Sequence, residues 1–236
     1  MKVKVAGTGS TGNCYILEHN DRYLILDAGI APDRVLPMID YNTDNIDACL
    51  ITHMHKDHIA YANYYINACI ETVMSRLTAE LAGYPIENYF IHTEDSLLRF
   101  GGWRILPFDV EHDAPGTRGY LISIGEDTIC YITDTGYVKA SPQGVTGLII
   151  ECNYIDEYLN DLDLSEQQIR LKKFHMSLDR AKSFIGKMDR RKLKNILLVH
   201  TSLRHGNTGR MEQEISERVG QDITVTMAKV GKELEW

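Results

Sequence analysis

His53-Met54-His55-Lys56-Asp57-His58, directly after the apolar run Ala48-Cys49-Leu50-Ile51, crowds three histidines and an aspartate into six positions. Neutral imidazoles and carboxylates are the ligands that hold Zn²⁺ and similar divalent ions. His53 and His55, two apart on extended chain, project the same way and can share one ion. Asp57 and His58 follow and can turn toward a second. A solvated polar loop accounts for one or two such residues, but not for four packed together at the end of a buried strand.

One loop cannot complete two metal sites, because each ion takes about three or four protein ligands. The chain has nine histidines: His19, His53, His55, His58, His92, His112, His175, His200 and His205. His112 follows the strand-like 104–110 and precedes the turn signal Asp113-Ala114-Pro115-Gly116. Asp134 follows Thr128-Ile129-Cys130-Tyr131-Ile132-Thr133 and precedes Thr135-Gly136. His200 follows Asn195-Ile196-Leu197-Leu198-Val199 and precedes Thr201-Ser202. Each is a ligand-type residue between an apolar strand and a turn. One such residue solvates a loop; three, added to the first cluster, point to a common site.

With these motifs the chain resembles the metallo-β-lactamase fold superfamily, whose signature His-x-His-x-Asp-His is present in full. The resemblance implies an α/β fold, a four-layer αββα sandwich. It implies that His53, His55 and His112 bind one metal, that Asp57, His58 and His200 bind another, and that Asp134 bridges them. The glycine-rich opening Gly7-Thr8-Gly9-Ser10-Thr11-Gly12-Asn13 and the strand end Leu26-Asp27-Ala28-Gly29 are similar to YycJ/WalJ-like members. The order of Asp134, Glu151-Cys152-Asn153, His175-Met176-Ser177 and His200-Thr201-Ser202 also resembles the tRNase Z side of the superfamily. There a histidine opening a helix, matched by His175, donates a proton. Phage anti-Pycsar phosphodiesterases share the metal pattern.

The expected activity is therefore that of a binuclear metal-dependent hydrolase: a phosphodiesterase or nuclease acting on nucleic acid. The alternatives are a cyclic mononucleotide phosphodiesterase and an ester or lactone hydrolase. Two divalent ions, Zn first and Mn or Fe as alternatives, would share a hydroxide that attacks phosphorus. Asp57 and His175 are the expected catalytic residues: Asp57 to orient the hydroxide while binding metal, His175 to protonate the leaving oxygen. His175 has the competing reading of a packing or N-cap residue, but Ser177 is itself a suitable N-cap. Asp27 is expected to support the ligands from behind, with Glu151 and Asn153 in similar positions.

The motif G-x-G-x-x-G at Gly7–Gly12 invites a dinucleotide reading, but a strand follows it rather than a helix, so we read a tight turn near the active-site edge. The five cysteines form no C-x-x-C pair and have apolar neighbours, which predicts buried free thiols. The aromatic group Tyr61, Tyr64 and Tyr65 reads as packing. The formal net charge of −8 argues against a general nucleic-acid binder with a broad basic face. Bound metals would still make the site attractive to phosphate. An apolar share of 44% over 236 residues suffices for a large core, and residues 1–236 are expected to form a single domain. No apolar run is long enough to cross a membrane. An opening that runs straight into a strand and the unpaired cysteines predict a cytoplasmic protein. A nucleic acid or nucleotide is the expected partner, no membrane, with a homodimer left open.

The coarse reading places strands at 3–6, 15–18, 23–27, 49–52, 103–110, 119–124, 128–133, 147–151 and 195–199. The first three form an antiparallel meander, and 119–133 a hairpin about Gly125-Glu126-Asp127. Helices are expected at 59–68, 75–82, 177–188 and 209–219. A polar helical region at 156–173, acidic early (Asp156, Glu157, Asp161, Asp163, Glu166) and basic late (Arg170, Lys172, Lys173), suits a helix dipole and reads as a solvated cover or a dimer contact before a substrate clamp.

Overall fold

The computed structural model describes residues 1–159 and 164–236. Its strands are Lys2–Gly7 (β1), Cys14–His19 (β2), Arg22–Leu26 (β3), Ile46–Leu50 (β4), Thr72–Val73 (β5), Ile91–His92 (β6), Leu98–Phe100 (β7), Trp103–Asp109 (β8), Arg118–Ile124 (β9), Asp127–Ile132 (β10), Gly147–Glu151 (β11), Asn195–Val199 (β12), Thr224–Met227 (β13) and Glu233–Glu235 (β14). The α-helices are Pro32–Val35 (α1), Lys56–Ile59 (α2), Ala62–Asn67 (α3), Arg76–Ala82 (α4), Glu166–Phe174 (α5), Leu178–Lys187 (α6) and Thr208–Val219 (α7).

The strands make two sheets, in the orders β14-β1-β2-β3-β4-β5-β6 and β13-β12-β11-β10-β9-β8-β7. Side chains alternate along each strand, and both faces of both sheets are covered. On β3, Leu24 and Leu26 point to the other sheet and meet its Tyr120, Ile122 and Tyr131. Ile25 between them points outward to Val35, Ile66 and Ala79 of the helical layer. On β12, Leu197 and Val199 face the inter-sheet core, while Ile196 and Leu198 pack under Ala181, Ile185, Met211 and Ile215 of α6 and α7. This is the expected four-layer αββα sandwich. It explains why the central strands read as unbroken apolar runs.

β1 to β3 pair antiparallel, whereas β3 to β6 and β10 to β13 pair in parallel. In open parallel sheets ligands bind beyond the carboxyl ends of strands. Asp27, the 52–58 loop, Asp134 and His200 all lie there, just past β3, β4, β10 and β12.

Several elements differ from the sequence reading. The expected helix at 59–68 is two short helices, α2 and α3, because Tyr61 breaks the turn: its N–H donates to Ala28 O at 2.9 Å. The hairpin between β9 and β10 pairs Ile124 with Asp127, so its loop is only Gly125-Glu126. The region 156–173 contains a 3₁₀ turn at Asp156–Tyr158 and then α5, started by a capping box between Ser165 and Gln168; its Asp161 and Asp163 lie outside the described residues. The strands β5, β6, β7, β13 and β14 were not expected. Cys69 is exposed, unlike the other four thiols, and all five are free. Among the described residues no helix is long and apolar enough to cross a membrane.

Candidate metal centre

Three strand tips turn their last residue inward through a left-handed backbone: Asp27 (φ 61°), Asp134 (φ 47°) and His200 (φ 54°). Non-glycine residues are uncommon in this region, and Asn, Asp and His are the ones that enter it most readily. The turn swings each side chain across the sheet ends instead of along the strand. The loop 52–58 is clamped from behind by two neighbouring segments. Asn13 N donates to Asp57 O (2.7 Å) and Ala28 N to His58 O (2.7 Å). Gly29 lies so close that a Cβ there would stand 1.8 Å from Asp57 O. The glycine-rich turn joins the same edge: Thr8 Oγ1 accepts from His200 N (3.1 Å), and Gly9 N donates to Asn13 Oδ1 (2.8 Å).

Two groups of donors converge, and a third set, Asp134, Glu151, His175 and His200, overlaps the second. In the first, His55 Nδ1 stands 3.0 Å from His53 Nε2 and 3.3 Å from His112 Nε2. In the second, His58 Nε2 stands 3.5 Å from Asp57 Oδ2 and 3.4 Å from Asp134 Oδ1, and His200 Nε2 stands 3.6 Å from Asp57 Oδ2. Asp134 reaches both groups, since its Oδ2 is 4.0 Å from His53 Nε2 and from His112 Nε2. Ligands about 2.0–2.1 Å from a tetrahedral ion are about 3.3 Å apart, which is close to these separations. His200 Nε2 is also buried with no hydrogen-bond partner. A buried polar atom left without a partner is costly unless something binds it, so the donor set fits divalent ions.

The opposite nitrogens of most of these imidazoles are tied to protein acceptors, an arrangement that fixes a metal ligand's tautomer. His58 Nδ1 donates to Asp27 Oδ2 (2.7 Å), and His112 Nδ1 to Phe174 O (3.2 Å). His200 Nδ1 donates to Glu151 Oε1 (3.1 Å). His53 Nδ1 donates to Thr52 Oγ1 (3.0 Å), whose own hydroxyl donates to Asp27 (2.9 Å). Asp27 is fully buried and takes two further donors, Thr52 N (2.8 Å) and Tyr131 OH (2.6 Å). It thus links the metal loop to the opposite sheet.

Electrostatics separates the two groups. Burial pushes the imidazoles of His53, His55 and His112 down, so they are neutral and ready to ligate. Burial acts the same way on His58, but Asp134 and Asp27 outweigh it and raise that group. Burial disfavours the Asp134 carboxylate, yet His200, His58 and His53 hold it well below the usual range. An ion entering the second group must displace protons; one entering the first need not.

His175 lies beside the cluster. Burial pulls its imidazolium down, and the carboxylate of Glu151 more than reverses this. The contact is His175 Nδ1 to Glu151 Oε1 at 2.6 Å. Glu151 Oε2 is fixed in turn by Thr135 N (2.9 Å) and Met176 N (3.1 Å). Ser177 caps α6 by accepting from Arg180 N, so His175 is not the cap.

All seven expected ligands, His175 and Asp27 are thus brought to one place. The sequence reading passed over Asn13, Tyr131 and Asp113. Asn13 Nδ2 is 3.0 Å from His58 Nε2. Asp113 Oδ1 is 3.1 Å from His112 Nε2 and 3.6 Å from His55 Nε2, and its other oxygen pairs with Arg170 of α5. Adjacency to His112 was an available signal for Asp113. Nothing marks Tyr131, which sits mid-strand.

Residues 22–201 match the family model described as the beta-lactamase superfamily domain, and the chain belongs to this family. Relatives include the exodeoxyribonuclease YycJ of Bacillus anthracis, 27% identical over 179 residues, and the exodeoxyribonuclease WalJ of Streptococcus pneumoniae, 28% identical over 179 residues. Each match covers 67% of this chain and 65% of the relative, so just under two thirds of those proteins is spanned. The metallo-β-lactamase fold protein YhfI of Bacillus subtilis superposes with a TM-score of 0.73 at 19% identity, over 99% of this chain and 98% of that one.

Proposed function

We propose that residues 1–236 act as one domain, a binuclear metal-dependent phosphodiesterase that cleaves nucleic acid. The observation that carries this reading is Asp134, set between two groups of metal donors with His175 on its flank. Asp134 Oδ2 is 4.0 Å from His53 Nε2, from His112 Nε2 and from His175 Nδ1. The names of the YycJ and WalJ relatives support nucleic acid as the substrate class.

In this reading His53, His55 and His112 would hold one ion and Asp57, His58 and His200 the other, with Asp134 available to both. Zinc suits the imidazole-rich set, with manganese and iron as alternatives. Two bound divalent ions would supply Lewis acidity and lower the pKa of water toward about 7. The chain's own groups do the rest. Asp57, whose Oδ2 lies 3.5 Å from His58 Nε2 and 3.6 Å from His200 Nε2, would orient the attacking oxygen. His175, its Nδ1 proton held by Glu151, carries a proton on Nε2 for the leaving oxygen. Asp27 keeps the ligand imidazoles of His53 and His58 in register. The buried free thiols favour a reducing cytoplasm as its setting.

The test is a panel of metal-loaded protein against single- and double-stranded DNA, RNA, cyclic mononucleotides and a simple lactone. Turnover of DNA or RNA that exceeds the others is expected. Cleavage of cyclic mononucleotides alone moves the assignment to that class; cleavage of the lactone alone removes phosphodiesters from it.

A further inference from the structure

One cavity near the site has no role so far. It lies on the helix side of the second sheet, between the segment 136–141 and α6, with a volume of about 380 Å³. That volume is in the range of small-molecule sites and holds one nucleoside. Its near end is made by Gly136, two residues past Asp134, and Met176, next to His175. Its far end is Lys187 and Met188. Between them α6 runs its 10 residues, about 15 Å, so the cavity extends along α6 from residues that adjoin Asp134 and His175 in sequence.

Its lining is selective in charge. Positions 180, 183, 184 and 187 fall on one face of α6 by helical spacing. They present Arg180, Ser183, Phe184 and Lys187 to the cavity, and Lys139 faces them from the opposite segment. Among the described residues no aspartate or glutamate lines it, in a chain whose net charge is −8. Val138, Phe184 and the two methionines give it an apolar wall, and Tyr137, 57% exposed, stands at its edge. Arg180 pins the near end, since its Nη1 donates to Lys172 O (2.8 Å), Gly136 O (3.3 Å) and His175 O (3.3 Å).

We infer that this cavity binds the nucleotide flanking the scissile phosphate of a single-stranded nucleic acid, with the base against the apolar wall and Tyr137 and the next phosphates on Lys139 and Lys187. Cationic walls with an aromatic platform are the means by which single strands are held without sequence choice. Carbohydrate and neutral esters have no need of the cations, and a purely anionic ligand has no need of the apolar wall. This inference rests on the nuclease reading and extends it from a bond type to a polymer.

The experiment compares the metal-loaded full chain with Lys139→Glu/Lys187→Glu and with Tyr137→Ala. All three positions are exposed, so the folds are expected to survive. Two substrates are used: a single-stranded DNA decamer and bis(p-nitrophenyl) phosphate. For the decamer, the double variant is expected to raise KM about tenfold or more with little change in kcat, and to flatten the log KM against log salt slope by about 1.5 or more. Tyr137→Ala is expected to raise KM about fivefold or more. Bis(p-nitrophenyl) phosphate turnover stays at the wild-type level in both. Wild-type decamer kinetics in the variants, or equal losses on both substrates, overturn the cavity's role while leaving the nuclease reading intact. A wild-type protein that turns over bis(p-nitrophenyl) phosphate but no oligonucleotide overturns the nuclease reading, and the cavity's role with it.

Discussion

At the scale of single residues, a ligand role and a positioning role are separable by what each loss removes. His175 reaches the cluster only through its flank, so His175→Ala is expected to keep bound metal and lose most turnover. Metal loss in that variant equal to the loss of activity would instead place His175 among the ligands. Glu151 acts through His175 and His200, and Glu151→Gln keeps the shape while removing the charge that both imidazoles face. A fall in kcat of about 10–100-fold with metal largely retained is expected, the usual effect of losing a group behind an active imidazole. An unchanged kcat would make Glu151 a mere filler. Asp27→Ala leaves Tyr131 OH, Thr52 Oγ1 and His58 Nδ1 without their buried acceptor. A loss of about 3–5 kcal/mol is expected from thermal or urea unfolding; a loss under about 1 kcal/mol would contradict its linking role.

At the scale of elements, the site depends on segments that close on the loop 52–58 from behind. Gly29 is the tightest of these contacts, because a Cβ there meets backbone and not a movable side chain. Gly29→Ala is expected to cost about 1–3 kcal/mol of stability and to weaken metal binding. Calorimetric unfolding and metal titration would show this, and wild-type values in both would contradict the clamp. The same dependence explains what the sequence could reveal. The four ligand-bearing strand ends were legible because each couples an apolar run to a ligand and a turn, all local features. The break between α2 and α3 was not, since it comes from a bond between Tyr61 and Ala28 across the fold. β5, β6 and β14 have two or three residues each, too few for a period to appear. Tyr131 joins the site by tertiary placement alone, which no spacing encodes, whereas Asp113 was marked only by standing next to His112.

At the scale of the whole molecule, two seven-stranded sheets bring ligands from β4 through β12 to one edge. The inter-sheet core and Asp27 hold that edge together before any ion arrives. Ion binding to the folded chain alone stabilises it by mass action, so chelation should lower the melting temperature without unfolding the sandwich. The thiols report on the same integrity. Burial pushes Cys14, Cys49, Cys130 and Cys152 up, whereas Cys69 is exposed. One thiol should therefore react with a thiol reagent in the native chain and all five after denaturation, and raising the pH through the ordinary thiol range should not awaken the buried four.

Elemental analysis of purified, metal-loaded wild type beside Asp134→Ala tests the central arrangement most directly, because Asp134 turns an oxygen toward each donor group. The account predicts two divalent ions per wild-type chain and a loss from both groups in the variant, with the fold retained by circular dichroism. A wild-type chain that binds no ion, or a variant that keeps both, would contradict it.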